Sequence, residues 1–85
     1  MTFMVTMAFD PARRAEIVAR VPAEQARVRE LMAQGAIETL HIARARDRVW
    51  LVLSAETEEA ARRILESLPL HAYATVDLAP LADPT

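Results

Sequence analysis

The chain has 85 residues, of which 53% are hydrophobic and 26% are charged. This balance is typical of a single globular domain and leaves no room for a second one. The sequence has no cysteine, which excludes disulfides, thiolate metal ligands and thiol nucleophiles and makes the cytoplasm the simplest location. The formal net charge of −2 gives the chain no general attraction to nucleic acid.

The amino-terminal stretch is apolar but too short to span a bilayer. It reaches Asp10 and Pro11 before it could form the core of a signal peptide, so no membrane contact is expected. We predict one domain over residues 1–82, followed by a loose tail at residues 83–85. A domain of this size buries roughly 60–65% of its unfolded surface, so its core is marginal unless another chain covers part of it.

The first predicted element is a strand over residues 2–9, in which both alternating faces are fairly apolar. Asp10 and the proline after it then favour the start of a helix, because the carboxylate can accept hydrogen bonds from free amides. A helical pattern follows over residues 15–34 and ends at Gly35. Pro22 interrupts this pattern. We expect the helix to break there, because an internal proline costs about 3 kcal/mol.

Two short strands are predicted over residues 37–44 and 49–53, joined as a tight antiparallel hairpin. Thr57 is placed to cap a second helix, which Pro69 ends because it has no amide hydrogen. In the final strand, alternation places four residues on one side: His71, Tyr73, Thr75 and Asp77. The order strand, helix, strand, strand, helix, strand predicts an α+β fold of the ferredoxin-like type, with one antiparallel sheet and both helices on one face.

Helices on one face of such a sheet leave the other face uncovered. That face would expose Met4 or Phe3, Trp50 or Leu51, and Tyr73. An exposed apolar sheet face of several hundred Å² usually indicates a partner. Two sheets stacked face to face would form a dimeric α+β barrel, and we therefore expect a homo-oligomer, at least a dimer.

The segment Leu68-Pro69-Leu70 with Tyr73, and the ending Pro80-Leu81-Ala82, resemble the C-terminal signature of the muconolactone isomerase family. Further agreements lie along the chain at Glu24, Glu30, Leu31, Gln34-Gly35, Leu40, Glu56 and Leu65. The resemblance covers nearly the whole chain and implies a dimeric α+β barrel, with larger rings of dimers. It also implies a cofactor-free isomerase of aromatic catabolism that shifts a double bond in an unsaturated lactone. Such chemistry needs a base, an acid and a donor for the developing oxyanion.

Several polar positions depart from the family pattern. Val21 stands where the family commonly has a lysine, and the family's Leu-Trp-Arg on the second strand is here Leu40-His41-Ile42. Asp47 and Val49 replace a tyrosine and an asparagine of the family. These changes remove charges and donors that a lactone carboxylate would use. They argue against muconolactone itself and for a related unsaturated lactone or cyclic metabolite as the substrate.

Glu24 and His41 are the candidate catalytic residues. Glu24 is shared with the family and would act as the base, although a glutamate in a first helical turn also complements the helix dipole on a solvated face. His41 suits general acid–base catalysis because histidine titrates near pH 6.5; the structural alternative is a half-buried histidine with one hydrogen bond. Trp50, Tyr73 and His71 are the candidate substrate contacts. The two aromatic residues also fit a core or an interface, and His71 beside a proline turn also fits a plain surface position.

No cofactor is expected. No metal site is expected either, because His41, His71 and Asp77 do not show a metal-ligand spacing. The rival hypothesis is a non-catalytic small-molecule-binding or assembly protein that kept the fold and lost the chemistry. A nucleic-acid partner on the sheet is disfavoured, because the aromatic residues lack basic surroundings.

Overall fold

The computed structural model describes residues 1–82, and the predicted tail at residues 83–85 lies outside the described residues. The strands and helices are β1 Thr2–Phe9, α1 Arg14–Ala33, β2 Ile37–Ile42, β3 Arg48–Ser54, α2 Glu58–Glu66 and β4 Ala74–Leu81. Short 3-10 helices cover Pro11–Arg13 and His71–Tyr73. Within residues 1–82, no helix has the length and apolar character needed to cross a membrane.

The four strands form one antiparallel sheet in the order β2-β3-β1-β4. This order and the two helices confirm the predicted α+β fold of the ferredoxin-like type. Alternate residues of β1 point to opposite sides of the sheet, and Phe3, Val5 and Met7 are fully buried on the side that the helices cover. The core is completed from the other elements by Leu31, Ile37, Leu51, Leu53, Ala61, Leu65 and Leu68.

Helix α1 is continuous over its 20 residues and passes through Pro22, so the predicted break at this proline is wrong. The proline removes one backbone hydrogen bond to the carbonyl of Val18, one turn earlier. Pro22 and Val18 are both exposed, and water can hydrate a carbonyl on the solvent side of a helix. Leu31 is the one buried residue of α1. Gly35, with φ of +81°, ends the helix region in the left-handed conformation that glycine favours.

The final strand begins later than the sequence pattern predicts. Residues 71–73 form a 3-10 helix, closed by hydrogen bonds of 3.0 Å from the His71 amide to the Leu68 carbonyl and from the Tyr73 amide to the Leu70 carbonyl. The alternation therefore starts at Ala74. The strand pattern predicted Tyr73 on the uncovered side of the sheet with Asp77. That prediction is wrong, because Tyr73 lies in the 3-10 helix and is only 9% exposed.

The sheet surface away from the helices, which we call the open face, is not covered by any part of residues 1–82. Strand register places four of its residues in one row across the sheet, in the order His41 on β2, Trp50 on β3, Thr6 on β1 and Asp77 on β4. A second row, parallel to the first, contains Thr39, Val52, Met4 and Ala79. Both Met4 and Trp50 are 38% exposed, so the open face presents large apolar side chains to solvent.

Replacing the proline inside α1 should stabilise the protein. We expect Pro22→Ala to raise the free energy of unfolding by about 1–3 kcal/mol, because alanine restores the hydrogen bond to Val18 and suits a helix interior. Urea denaturation of both proteins measures the difference. Pro69→Ala is the matched control, since Pro69 lies after the end of α2 and removes no helical bond. A less stable Pro22→Ala protein would show that the proline is needed where it stands.

Candidate active site

One face of α1 is bonded to the chain segment that links α2 to β4, which we call the 67–73 segment. Arg20, Glu24 and Arg27 are spaced at i, i+4 and i+7 and so lie on one side of the helix. The Arg20 Nε donates to the Tyr73 hydroxyl at 2.8 Å, and the Arg27 Nε donates to the Ser67 hydroxyl at 3.1 Å. Glu24 accepts a hydrogen bond between these two. The result is a polar seam that fixes the 67–73 segment against α1.

Glu24 is half-buried in this seam. Its Oε1 accepts a hydrogen bond of 3.0 Å from the backbone amide of Leu70. Burial raises the pKa of the Glu24 carboxyl, and the hydrogen bond from Leu70 offsets part of that rise. Among the described residues, Oε2 has no hydrogen-bond partner. A carboxylate with a raised pKa and one free oxygen is suited to take a proton from a carbon acid.

Tyr73 is bound by Arg20, one helical turn before Glu24, and has two arginines around its ring. The Arg13 guanidinium lies 4.4 Å from the ring centroid and that of Arg20 lies 5.6 Å away, both as cation–π contacts. Because the hydroxyl oxygen accepts from Arg20, the phenolic hydrogen stays free to donate to another group. The site therefore has a carboxylate acceptor and a phenol donor, held by residues one helical turn apart.

Arg20, which binds Tyr73, was not predicted as a site residue from the sequence. Exposed arginines are common on helices, and this residue belongs to no motif. Its position four residues before Glu24 is the signal that could have found it, because that spacing places both side chains on one face of a helix. His71 was predicted and is half-buried in the 3-10 helix, directly after the Leu70 amide that binds Glu24. The structure thus brings Glu24, Tyr73 and His71 into one region.

His41 and Trp50 belong to a different region. They lie side by side on the open face, where they line a shallow depression of about 310 Å³ with Met4, Leu51 and Val52. The sheet separates this depression from α1 and Glu24, because Leu40 packs against the core and His41, the next residue in the strand, points the other way. Within one chain, the structure does not bring Glu24 and His41 together. Proton transfer shared by these two residues therefore has no geometric basis in a single chain.

The raised pKa of Glu24 makes stability depend on pH. The folded protein holds the Glu24 proton more tightly than the unfolded chain does, so stability falls as pH rises from the ordinary carboxyl value of 4.5. Glutamine keeps an acceptor for the Leu70 amide and has no charge to desolvate. We expect Glu24→Gln to melt a few degrees above the wild type at pH 8 and to match it at pH 4, as measured by thermal denaturation.

The control for this comparison is Glu66→Gln, at an exposed glutamate of α2. It should leave the melting temperature nearly unchanged at both pH values, because removing the charge of an exposed carboxylate changes the free energy of unfolding very little. A lower melting temperature of Glu24→Gln at pH 8 would contradict the burial argument.

The chain is similar to one known protein family and to solved structures. No curated protein matches it in sequence. Among solved structures, it is similar to 5-chloro-2-hydroxyhydroquinone dehydrochlorinase (TftG) from Burkholderia phenoliruptrix AC1100, in complex with 2,5-dihydroxybenzoquinone, with a TM-score of 0.82 and 14% identity. That match covers 96% of this chain and 94% of the other, and it shows a shared fold. The model of one family, muconolactone delta-isomerase, matches residues 1–85 in full, and the chain therefore belongs to the muconolactone delta-isomerase family.

Proposed function

We propose that this protein is a cofactor-free isomerase that moves a proton, and with it a double bond, in a small unsaturated lactone or a related ring compound. Family membership supports an isomerase-like enzyme that processes small molecules. The observation that carries the finer proposal is the half-buried Glu24 carboxylate, with its raised pKa, one helical turn from the Arg20 that binds the Tyr73 phenol.

The proposed reaction begins at the free oxygen of Glu24. The carboxylate takes a proton from a ring carbon next to an unsaturated carbonyl, and the electron pair of that C–H bond moves onto the carbonyl oxygen. Tyr73 donates its phenolic hydrogen bond to the oxyanion, and the nearby arginines add positive charge. Protonated Glu24 then returns the proton to a different carbon of the ring. The double bond has moved, no atom has been gained or lost, and the carboxylate is restored.

The 67–73 segment orients these groups. Leu70 binds one oxygen of Glu24 and leaves the other for the substrate. His71, the next residue, belongs to the 3-10 helix, and in this proposal it contacts the bound ring. A dehydrochlorination, as named for the structural neighbour, and a double-bond shift both require a proton acceptor and a way to stabilise a ring oxyanion. That common requirement supports a cyclic substrate with a conjugated carbonyl group.

The proposed assembly is a homodimer formed through the open face. Large apolar residues are exposed there, including Met4 and Trp50 at 38% each and Leu81 at 43%. An interface of the ordinary size buries about 800 Å² on each partner, and covering this face with a second sheet would also enclose the depression beside Trp50 and His41. Trp50 would then be an interface residue, or a wall of a pocket closed by the partner.

One observation favours a second function, that of a non-catalytic binding or assembly protein. The 67–73 segment forms one hydrogen bond with each of Glu24, Arg20 and Arg27. These three bonds give the residues a structural role that requires no catalysis. A protein of this kind would bind ring compounds without turning them over. Its melting temperature would rise with a ligand, by the equivalent of about 2.7 kcal/mol at a hundredfold excess over Kd.

The catalytic proposal is tested by substitutions that preserve shape. With unsaturated lactones and hydroxylated quinones as probes, we expect Glu24→Gln to lower kcat at least about a hundredfold, the usual contribution of a general base. Tyr73→Phe should lower kcat by about tenfold or more while leaving the ring contacts. Proton exchange followed by NMR in deuterated water measures the transfer directly.

His41→Gln is the matched control, because His41 lies on the other side of the sheet. It should leave kcat within about threefold of the wild type, well below the usual effect of losing a general base. Turnover that survives Glu24→Gln would overturn the assignment of the base. A ligand-induced rise in melting temperature with no turnover of any probe would support the binding protein instead.

The dimer is tested by mass in solution. Light scattering at micromolar concentration should give at least twice the chain mass of 9.5 kDa. Introducing a charge at the centre of the open face, by Met4→Glu, should shift the mass towards a single chain, because a buried unpaired carboxylate opposes association. Glu66→Gln, at an exposed position of α2 on the other side of the sheet, is the control. A measured mass equal to that of one chain for the wild type would contradict the proposed dimer interface.

A further inference from the structure

The first row of the open face has charge-bearing groups of opposite type at its two ends. His41 lies on the edge strand β2 and Asp77 lies on the opposite edge strand β4, with Trp50 and Thr6 between them. Neighbouring strands are about 4.8 Å apart, so the two ends of the row are separated by about 14 Å. They are too far apart to pair within one chain, and both side chains are exposed.

A second copy can complete this row in only one orientation. Identical sheets that pack face to face are related by a two-fold axis that lies between them. If the axis runs along the strands, β2 of one copy lies over β4 of the other, and His41 faces Asp77 of the partner subunit. If the axis runs across the strands, His41 faces a second His41 and Asp77 faces a second Asp77. Only the first arrangement pairs opposite charges.

Side-chain size favours the same orientation. With the axis along the strands, the large Trp50 lies over the small Thr6 of the partner subunit, and in the neighbouring row Val52 lies over Met4 of the partner subunit. With the axis across the strands, the two indoles would meet each other in the middle of the interface. Stacked sheets are about 10 Å apart. An imidazole from one sheet, a carboxylate from the other and a hydrogen bond of about 2.8 Å fill that distance.

We propose that the dimer is oriented by two symmetry-related ion pairs, each between His41 and Asp77 of the partner subunit. The proposal rests on the homodimer proposed above and adds its orientation and its response to pH. Because the pair needs a protonated imidazole, dimerisation strengthens as pH falls through the range in which histidine titrates.

Other charged residues lie near the proposed ion pair. Arg48 lies on the same face of β3, two residues before Trp50, and its positive charge repels a positively charged group on that face. Glu38 lies at the irregularity in β2, where the strand register does not assign it to either face. The facing parts of β1 and β4 contribute Thr6, Ala8, Thr75 and Ala79, which carry no charge, so Asp77 is the one anion opposite His41.

The test is a comparison of dimer dissociation constants at pH 8 and pH 5.5 by analytical ultracentrifugation. The wild type should dimerise about tenfold more tightly at pH 5.5, since each dimer gains two pairs of modest strength. His41→Gln and Asp77→Asn should each remove this dependence. The double variant His41→Asp with Asp77→His restores opposite charges in the same orientation and should regain it. The other titratable groups are the same in all four proteins, so differences between these proteins report on residues 41 and 77 alone.

The possible failures are distinct. A wild-type dimer whose affinity does not change with pH, or single variants that keep the full pH dependence, would overturn the ion pair and leave the dimer intact. A double variant that behaves like the single variants would overturn the orientation. A wild type that is monomeric at both pH values would overturn the dimer itself. Circular dichroism on each variant establishes that these exposed substitutions leave the fold unchanged.

Discussion

The alternation of side chains along β1 is the constraint on which the rest of the structure depends. This strand pairs with β3 on one side and β4 on the other along its whole length. Phe3, Val5 and Met7 point to the helices, and Met4 and Thr6 point away. A shift of one residue would exchange the two sets. The buried core therefore fixes the open face as well, and it holds the helix layer and the open face apart as two separate chemical environments.

The polar seam between α1 and the 67–73 segment supplies a hydrogen-bond acceptor for a backbone amide that lies beyond the end of α2. Helix α2 ends before Pro69, so the buried residue after it, Leu70, has an amide with no helical carbonyl to bind. A buried amide without a partner is costly, and Glu24 supplies the acceptor. The same burial that makes this bond valuable also raises the pKa of the Glu24 carboxyl. The structural role and the proposed chemical role of Glu24 thus have one origin.

Much of the fold was predictable because it depends on local signals. Asp10 caps the first helical turn through a bond of 2.9 Å to the Ala12 amide, and Thr57 caps α2 through a bond of 3.0 Å to the Ala60 amide, as predicted. These caps depend on residues two or three positions apart in the sequence.

The sequence-based errors arose where tertiary contacts override local preference. At Pro22, solvent and packing of the remaining helix compensate for a missing bond that propensity alone counts as a break. At residues 71–73, consecutive turns hold the chain in a 3-10 helix although its side chains alternate like those of a strand. The hydrogen bond from Arg20 to Tyr73 joins residues 53 positions apart. Sequence patterns depend on nearby residues and do not indicate contacts over such a separation. The separation of Glu24 from His41 follows from sheet topology and could be derived only after the faces were assigned.

Burial along α1 is uneven, and this has a consequence for motion. The buried anchor Leu31 lies in the last turn, whereas the first half of the helix is held mainly by polar contacts such as that from Arg20 to Tyr73. Regions with few buried apolar contacts open at lower free energy than the core does. The amino-terminal half of α1 is therefore the part of the helix that we expect to separate most easily from the 67–73 segment. Such an opening would uncover the phenol and the free oxygen of Glu24 together and would give a ring compound a path into the proposed site.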